Sequence, residues 1–176
     1  MRVFDRISLS LEFVIRECTE HDLPQLEWLG SLSSHRAFMR RQFTRHLRGV
    51  NVMLVADLAG YPVGQVWVDL EQWADSGGAL IWALRVIDPL RNFGLGTKLL
   101  AAAEGVAEDA GRLFVELGVE KANERGRALY ERLGYVAVGE ELCEEDYVAP
   151  DGRIVRQVFD QAVLRKSLGG EIPTRA

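Results

Sequence analysis

The chemistry-bearing part of this chain is the run Arg91-Asn92-Phe93-Gly94-Leu95-Gly96-Thr97, set between an apolar run at 79–87 and a helical run at 98–110. Two glycines leave the backbone N–H groups of such a turn uncovered. The following helix aims its free N–H groups and positive dipole end at the same point, so the loop favours an anion such as a pyrophosphate. A phosphate loop of the P-loop kind needs Lys followed by Ser or Thr directly after its last glycine. Here Thr97 precedes Lys98, which excludes it. A dinucleotide loop of the Rossmann kind is half met. Leu99 stands where its third small residue belongs, while Glu116 supplies the acid expected about twenty residues further on.

A second block, Asn123-Glu124-Arg125-Gly126-Arg127-Ala128-Leu129-Tyr130-Glu131-Arg132-Leu133-Gly134-Tyr135, follows about thirty residues later. The two blocks together resemble the R-x-x-G-x-G loop and the N-x-x-A-x-x-L-Y-x-x-x-G-F pattern of the GNAT superfamily of N-acetyltransferases. Tyr135 replaces the commoner Phe, and Ala128 is displaced by one or two places. The resemblance implies acetyl-CoA as cosubstrate and a primary amine of a small molecule or peptide as acceptor. It also implies an α/β (mixed α+β) fold with a six- or seven-stranded, mostly antiparallel mixed sheet flanked by about four helices.

Residue roles follow from the same resemblance. Leu84 and Val86 offer backbone groups to the cofactor's pantetheine arm where a neighbouring strand is missing. Arg91, Phe93, Gly94, Gly96 and Thr97 wrap the pyrophosphate mainly through backbone N–H groups, with Asn92 and Leu95 in the same loop. Many relatives carry Gly at the Asn92 position, and Asn tolerates a left-handed backbone better than most residues. Asn123 serves as helix cap and cofactor contact. Tyr130, a phenol mostly protonated at neutral pH, is the expected proton donor to the departing thiolate. Two rivals stand beside this reading: a non-catalytic acyl-CoA-binding or sensing module, and a dinucleotide-binding enzyme.

No motif supplies a general base. Asp69, Glu71, Glu116 and Glu120 are carboxylates that could relay a proton, and each also reads as a solvated charge. Gly118 stands where the ribosomal-protein branch of the family has a Glu. Trp67, Trp73 and Trp82 are candidates for the acceptor site, with core packing the competing fate of Trp67 and Trp82. The acids Glu140, Glu141, Glu144, Glu145 and Asp146 could attract a cationic amine, although a charge run is usually solvated surface.

Composition bounds the rest. The 176 residues, 48% hydrophobic, suit one domain over 1–168, with an N-terminal extension over 1–11 and a disordered tail over 169–176. A net charge of −5 argues against nucleic-acid partners. There is no apolar run of spanning length and no secretory signal, so a cytoplasmic protein without a membrane partner is expected. Cys18 and Cys143 are far apart, and His21, His35 and His46 lack metal-ligand spacing, so no metal is expected and the histidines read as surface or helix-face residues. Apolar patches on the Trp-bearing strands would suit a homodimer.

The elements that must position these residues are legible in outline. Strands are expected at 13–17, 52–56, 63–70, 79–87, 113–119, 135–138 and 156–164. Helices are expected from Thr19 to Leu29, over 34–48, over 98–110 and between Asn123 and Gly134. Met39, Phe43, Leu47 and Val50 define the apolar face of the second helix. The acidic segment 140–146 and a turn at Pro150-Asp151-Gly152 separate the last two strands.

Overall fold

The computed structural model describes residues 10–148 and 153–169. The turn at Pro150-Asp151-Gly152, the tail beyond Gly169 and all but the end of the extension 1–11 lie outside the described residues.

One seven-stranded sheet organises the chain, in the order β1-β2-β3-β4-β5-β7-β6. Its strands are β1 (Val14–Glu17), β2 (Asn51–Leu58), β3 (Tyr61–Asp69), β4 (Gly78–Val86), β5 (Phe114–Glu120), β6 (Val136–Val148) and β7 (Ile154–Ser167). Every neighbouring pair is antiparallel except β4 and β5. This is the mixed α/β architecture that the resemblance implies.

Period-two alternation assigns the two faces of the sheet. On one, Leu54, Val66, Val68, Ile81, Val115 and Leu117 meet the stripe Leu95, Leu99, Leu100, Ala103 and Ala107 of α2 (Leu95–Asp109). Gly64 lets that helix come close, since a Cβ there would stand 2.9 Å from Leu99 Cδ1. On the other face, Met53, Val55 and Trp67 meet Met39 and Phe43 of α1 (Arg36–His46). Leu47 does not join them. It falls at the end of α1 and is 73% exposed.

Two further expectations are corrected. The helix expected from Thr19 to Leu29 is instead a pair of short 3-10 turns, Glu20–Asp22 and Gln25–Glu27, divided at Pro24. The acidic segment expected to separate the last strands is itself strand, because β6 runs on to Val148 paired with β7. Cross-strand cations offset its charge: Lys121 bridges Glu140 and Asp160, and Arg156 reaches Glu144.

The relationship that matters for function lies between β4 and β5. Their parallel pairing covers only Gly78↔Phe114, Ala79↔Val115 and Leu80↔Glu116. Beyond Leu80 the strands part. On the β3 side of β4 the register slips between Trp82 and Arg85, and Ala83 takes a left-handed φ of 53°. This bulge re-aims the strand at the mouth of the gap.

Candidate active site

The glycine loop takes the shape its residue types demand. After a 3-10 turn at Asp88–Leu90, Asn92 has φ 71° and Gly94 φ 82°, so two residues are left-handed before α2 begins. Gly94 is the N-cap and brings no side-chain cap. Lys98 N–H is the first to bond back, to Gly94 O at 3.1 Å, which leaves the N–H groups of Leu95, Gly96 and Thr97 aimed outward. A Cβ added at Gly94 or Gly96 would meet no atom within 4 Å, so both glycines border open space.

That space is a cavity of about 680 Å³. Of the residues singled out in the sequence, Leu84, Val86, Arg91, Asn92, Gly94, Gly96, Thr97, Asn123 and Tyr130 line it. Phe93 and Leu95 do not. Phe93 is 73% exposed, and the Leu95 side chain is buried in the core beneath α2, so Leu95 can contribute only backbone. Arg85, Arg125 and Arg132 join the wall without having been singled out. The signal for the last two was available in the sequence, because Arg125, Leu129 and Arg132 are spaced to share one face of a helix.

The β4 edge on this cavity is open. Ile87 N–H turns to β3 and bonds Val63 O at 2.9 Å, so Val86, and Leu84 two residues before it, turn their backbone groups to the gap. Val86 O accepts from Arg91 Nε at 3.1 Å, and Arg91 also pairs with Asp88 at 2.8 Å.

α3 (Glu124–Arg132) closes the far wall. Asn123 caps it, with Oδ1 accepting from Gly126 N at 2.9 Å, and Gly134 at φ 90° ends it. Arg125 reaches across to the Asn92 side chain, tying this helix to the glycine loop. Tyr130 packs edge-on against Tyr135 at 5.8 Å. Burial pushes the Tyr130 phenol pKa up, so its neutral, proton-bearing form is the stable one.

A second cavity, of about 350 Å³, lies on the α1 face. Arg85, on the part of β4 beyond its last pairing with β5, lines both cavities. Its aromatic wall is a packed cluster: Trp67 and Trp82 meet edge-on at 4.7 Å, and Phe38 touches both, at 6.1 and 5.7 Å. Trp73 also lines it. Trp67 and Trp82 are therefore core and cavity wall at once.

The candidate proton relays separate cleanly. Asp69 is buried and accepts from Arg45 at 2.7 Å and from the N–H groups of Glu71 and Gln72, while Glu71 holds the other side of Arg45. Both are held by Arg45, and neither is among the residues lining the cavity. Glu116 lines the cavity, with Arg165 donating to it from Nε and a terminal nitrogen at 2.8 and 2.6 Å. Glu120 and Glu141 line it and are exposed. Of the remaining acids, Glu140 and Glu144 are paired with cations as described, and the side chains of Glu145 and Asp146 lie outside the described residues. Among the described residues no cluster of three or more His, Cys, Asp or Glu could hold a metal, and no helix is long and apolar enough to cross a membrane. His46 is not a surface residue. Its side chain is largely covered, and its Nε2 bonds Cys18 O at 3.1 Å.

Comparison with known proteins bears on the family and the fold. No curated protein matches the sequence. Solved structures do match the fold. A ribosomal-protein-alanine N-acetyltransferase from Brucella melitensis is 20% identical, with a TM-score of 0.68, covering 88% of this chain and 99% of that one. The putative acetyltransferase YncA from Salmonella typhimurium, solved with its cofactor acetyl-CoA, is 16% identical with a TM-score of 0.70, covering 94% and 99%. A phosphinothricin acetyltransferase from Sinorhizobium meliloti, in complex with AcCoA, is 19% identical with a TM-score of 0.68, covering 89% of each chain. A sequence model of the acetyltransferase (GNAT) family matches residues 15–135, the stretch from β1 to the end of the α3 block. The chain belongs to the acetyltransferase (GNAT) family.

Proposed function

We propose that the protein is an acetyl-CoA-dependent N-acetyltransferase acting on a primary amine by direct transfer. The observation that carries the reading is electrostatic. In a chain of net charge −5, the described lining of the cavity at the α2 N-terminus holds Arg85, Arg91, Arg125 and Arg132 and no carboxylate. Four cations, three outward N–H groups and a helix dipole suit a ligand with several phosphates. The open backbone edge at Leu84 and Val86 suits an amide-bearing arm leading from those phosphates to the gap.

Acetyl-CoA supplies the activated acetyl group as a thioester. The chain's own residues hold it and manage protons. Arg91, Arg125 and the N–H groups of Leu95, Gly96 and Thr97 take the phosphates. The Leu84 and Val86 backbone aligns the arm with the gap. An amine entering from the α1 face forms the C–N bond as the C–S bond breaks. Its nitrogen releases one proton to water, and Tyr130 gives one to the sulfur and recovers it from solvent.

The test is calorimetric titration with acetyl-CoA, followed by thiol release against a panel of amines. Micromolar binding with release supports the reading. Binding without release across the panel favours a sensing module, and absence of binding removes the cofactor assignment.

A further inference from the structure

On β3, two buried polar atoms of the α1 face have no hydrogen-bond partner among the described residues. Gln65 is 1% exposed and Trp67 2%, both line the smaller cavity, and Gln65 Oε1 and Trp67 Nε1 are unsatisfied. They sit two residues apart on β3, so their side chains leave the same face of the sheet. Trp28 and Trp82 differ from Trp67 in this: Trp28 Nε1 donates to Pro62 O at 2.8 Å, and Trp82 Nε1 to Asn51 Oδ1 at 3.1 Å. Leaving a buried acceptor and a buried donor open is costly in a folded interior, and both residues line the cavity.

The remaining wall defines what could fill that cavity. The edge-on Trp67–Trp82 pair with Phe38 forms an aromatic corner suited to a flat ring. A volume of about 350 Å³ has room for about a dozen waters, at the small end of ligand cavities. A space of this size is filled by one ring and a short chain. Glu120 and Glu141 give the exposed rim negative charge, which draws a cation.

Resting on the acetyltransferase reading, we infer that the acceptor is a compact aromatic primary amine bearing a hydroxyl. The ring lies in the Trp67–Trp82 corner. The hydroxyl donates to Gln65 Oε1 and accepts from Trp67 Nε1, and the amine extends toward the gap at Arg85. Basic peptides and aliphatic polyamines are disfavoured, because they fill neither the corner nor the polar pair.

The experiment uses the full chain and three readings. In the first, thiol release from acetyl-CoA is compared for tyramine, phenethylamine, putrescine and a lysine-rich peptide. Expected is kcat/KM for tyramine at least about tenfold above phenethylamine, the worth of one good hydrogen-bonding group, with both above the aliphatic acceptors. In the second, tyramine quenches tryptophan fluorescence in a saturable way while putrescine does not. In the third, Trp67→Phe, which keeps a ring and removes the N–H, collapses the tyramine-to-phenethylamine ratio of kcat/KM toward one. Putrescine or the peptide as best acceptor, or an unchanged ratio in Trp67→Phe, overturns the inference. If the variant does not fold, the wild-type amine series and the quenching decide. Acetyl-CoA binding without any response to tyramine overturns this inference alone. Quenching by tyramine in a protein that does not bind acetyl-CoA keeps the pocket chemistry and sinks the transfer reaction.

Discussion

Arg91 Nε donates to the carbonyl oxygen of Val86 at 3.1 Å, so the first residue of the glycine loop sits on the open edge of β4. An amide-bearing arm laid along that edge competes for the same oxygen. Arg91 is held by the Val86 carbonyl and by Asp88, and on the proposed reading a phosphate would compete with both.

Arg91→Ala is therefore expected to weaken acetyl-CoA binding by about tenfold, the loss of one charge-assisted contact. Binding of acetyl-pantetheine, which lacks the phosphates, is expected to stay level or tighten as the Val86 carbonyl is freed. Calorimetry on the two ligands separates the effects, and an equal loss for both would show that Arg91 holds the arm instead.

Tyr130→Phe is expected to keep acetyl-CoA affinity within a few-fold while turnover falls by about a hundredfold, the lower end for loss of a general acid. Burial raises the Tyr130 pKa above the usual tyrosine value. The protonated acid then persists up to and beyond a pH of about 10, so the wild-type profile should show no alkaline loss from this group below it. A loss of rate centred nearer neutrality that vanishes in the Phe variant would contradict this.

Gly126 stands where a Cβ would lie 2.7 Å from Asn123 Nδ2. Gly126→Ala gains roughly 1 kcal/mol of helix propensity but displaces the Asn123 cap, which is worth about the same. Melting temperature is expected to change little while acetyl-CoA affinity drops, because Asn123 leaves the cavity wall. A stabilised variant with unchanged affinity would show that the Asn123 side chain moves freely.

How much of this could be read from the chain alone depends on how local each requirement is. The left-handed turns at Asn92 and Gly94 and the Asn123 cap are written in single residue types, so both blocks were legible. The extension of β6 through its acids was not, because Glu140 and Glu144 disfavour a strand until Lys121 and Arg156 arrive from elsewhere in the chain. Pro24 and the pull of Arg16 on Asp22 broke a run that otherwise read as helix. The pairing of Glu116 with Arg165 spans 49 residues and has no sequence signal. The double role of Trp67 as core and wall needed the cavity itself to be seen.

That Glu116–Arg165 pair is buried, with side chains 1% and 6% exposed. Arg165→Met removes both hydrogen bonds that Arg165 donates to the buried carboxylate and should cost about 3–5 kcal/mol in denaturant unfolding. The double variant Glu116→Leu with Arg165→Met should recover most of that. Recovery would mark the pair as replaceable for stability, whereas a double variant as unstable as the single one would mean the surrounding wall depends on it.

Asp22 is buried, and although burial raises its pKa, the hydrogen bonds from Arg16 and from Thr19 outweigh it and hold the group at about 2, below its ordinary 3.8. A depressed carboxylate stabilises the fold above its unfolded pKa and loses that contribution as pH falls through its folded one. On the order of 2 kcal/mol, present at neutral pH, should disappear between pH about 4 and about 2. Asp22→Asn should lack this acid-sensitive step in urea melts taken across that range.

The parting of β4 from β5 after Leu80 and Glu116 makes the sheet a partition with a doorway at Arg85. On the proposed reading the two chemical partners would be handled in separate rooms, one walled by α2 and α3 and the other by α1 and the tryptophans. Heritable change can then act on one room at a time. If the proposed acceptor site holds, substitutions at Gln65, Trp67 or Trp82 would change acceptor choice while the donor side stays intact, which would make the scaffold a starting point for laboratory evolution of new amide-forming specificities.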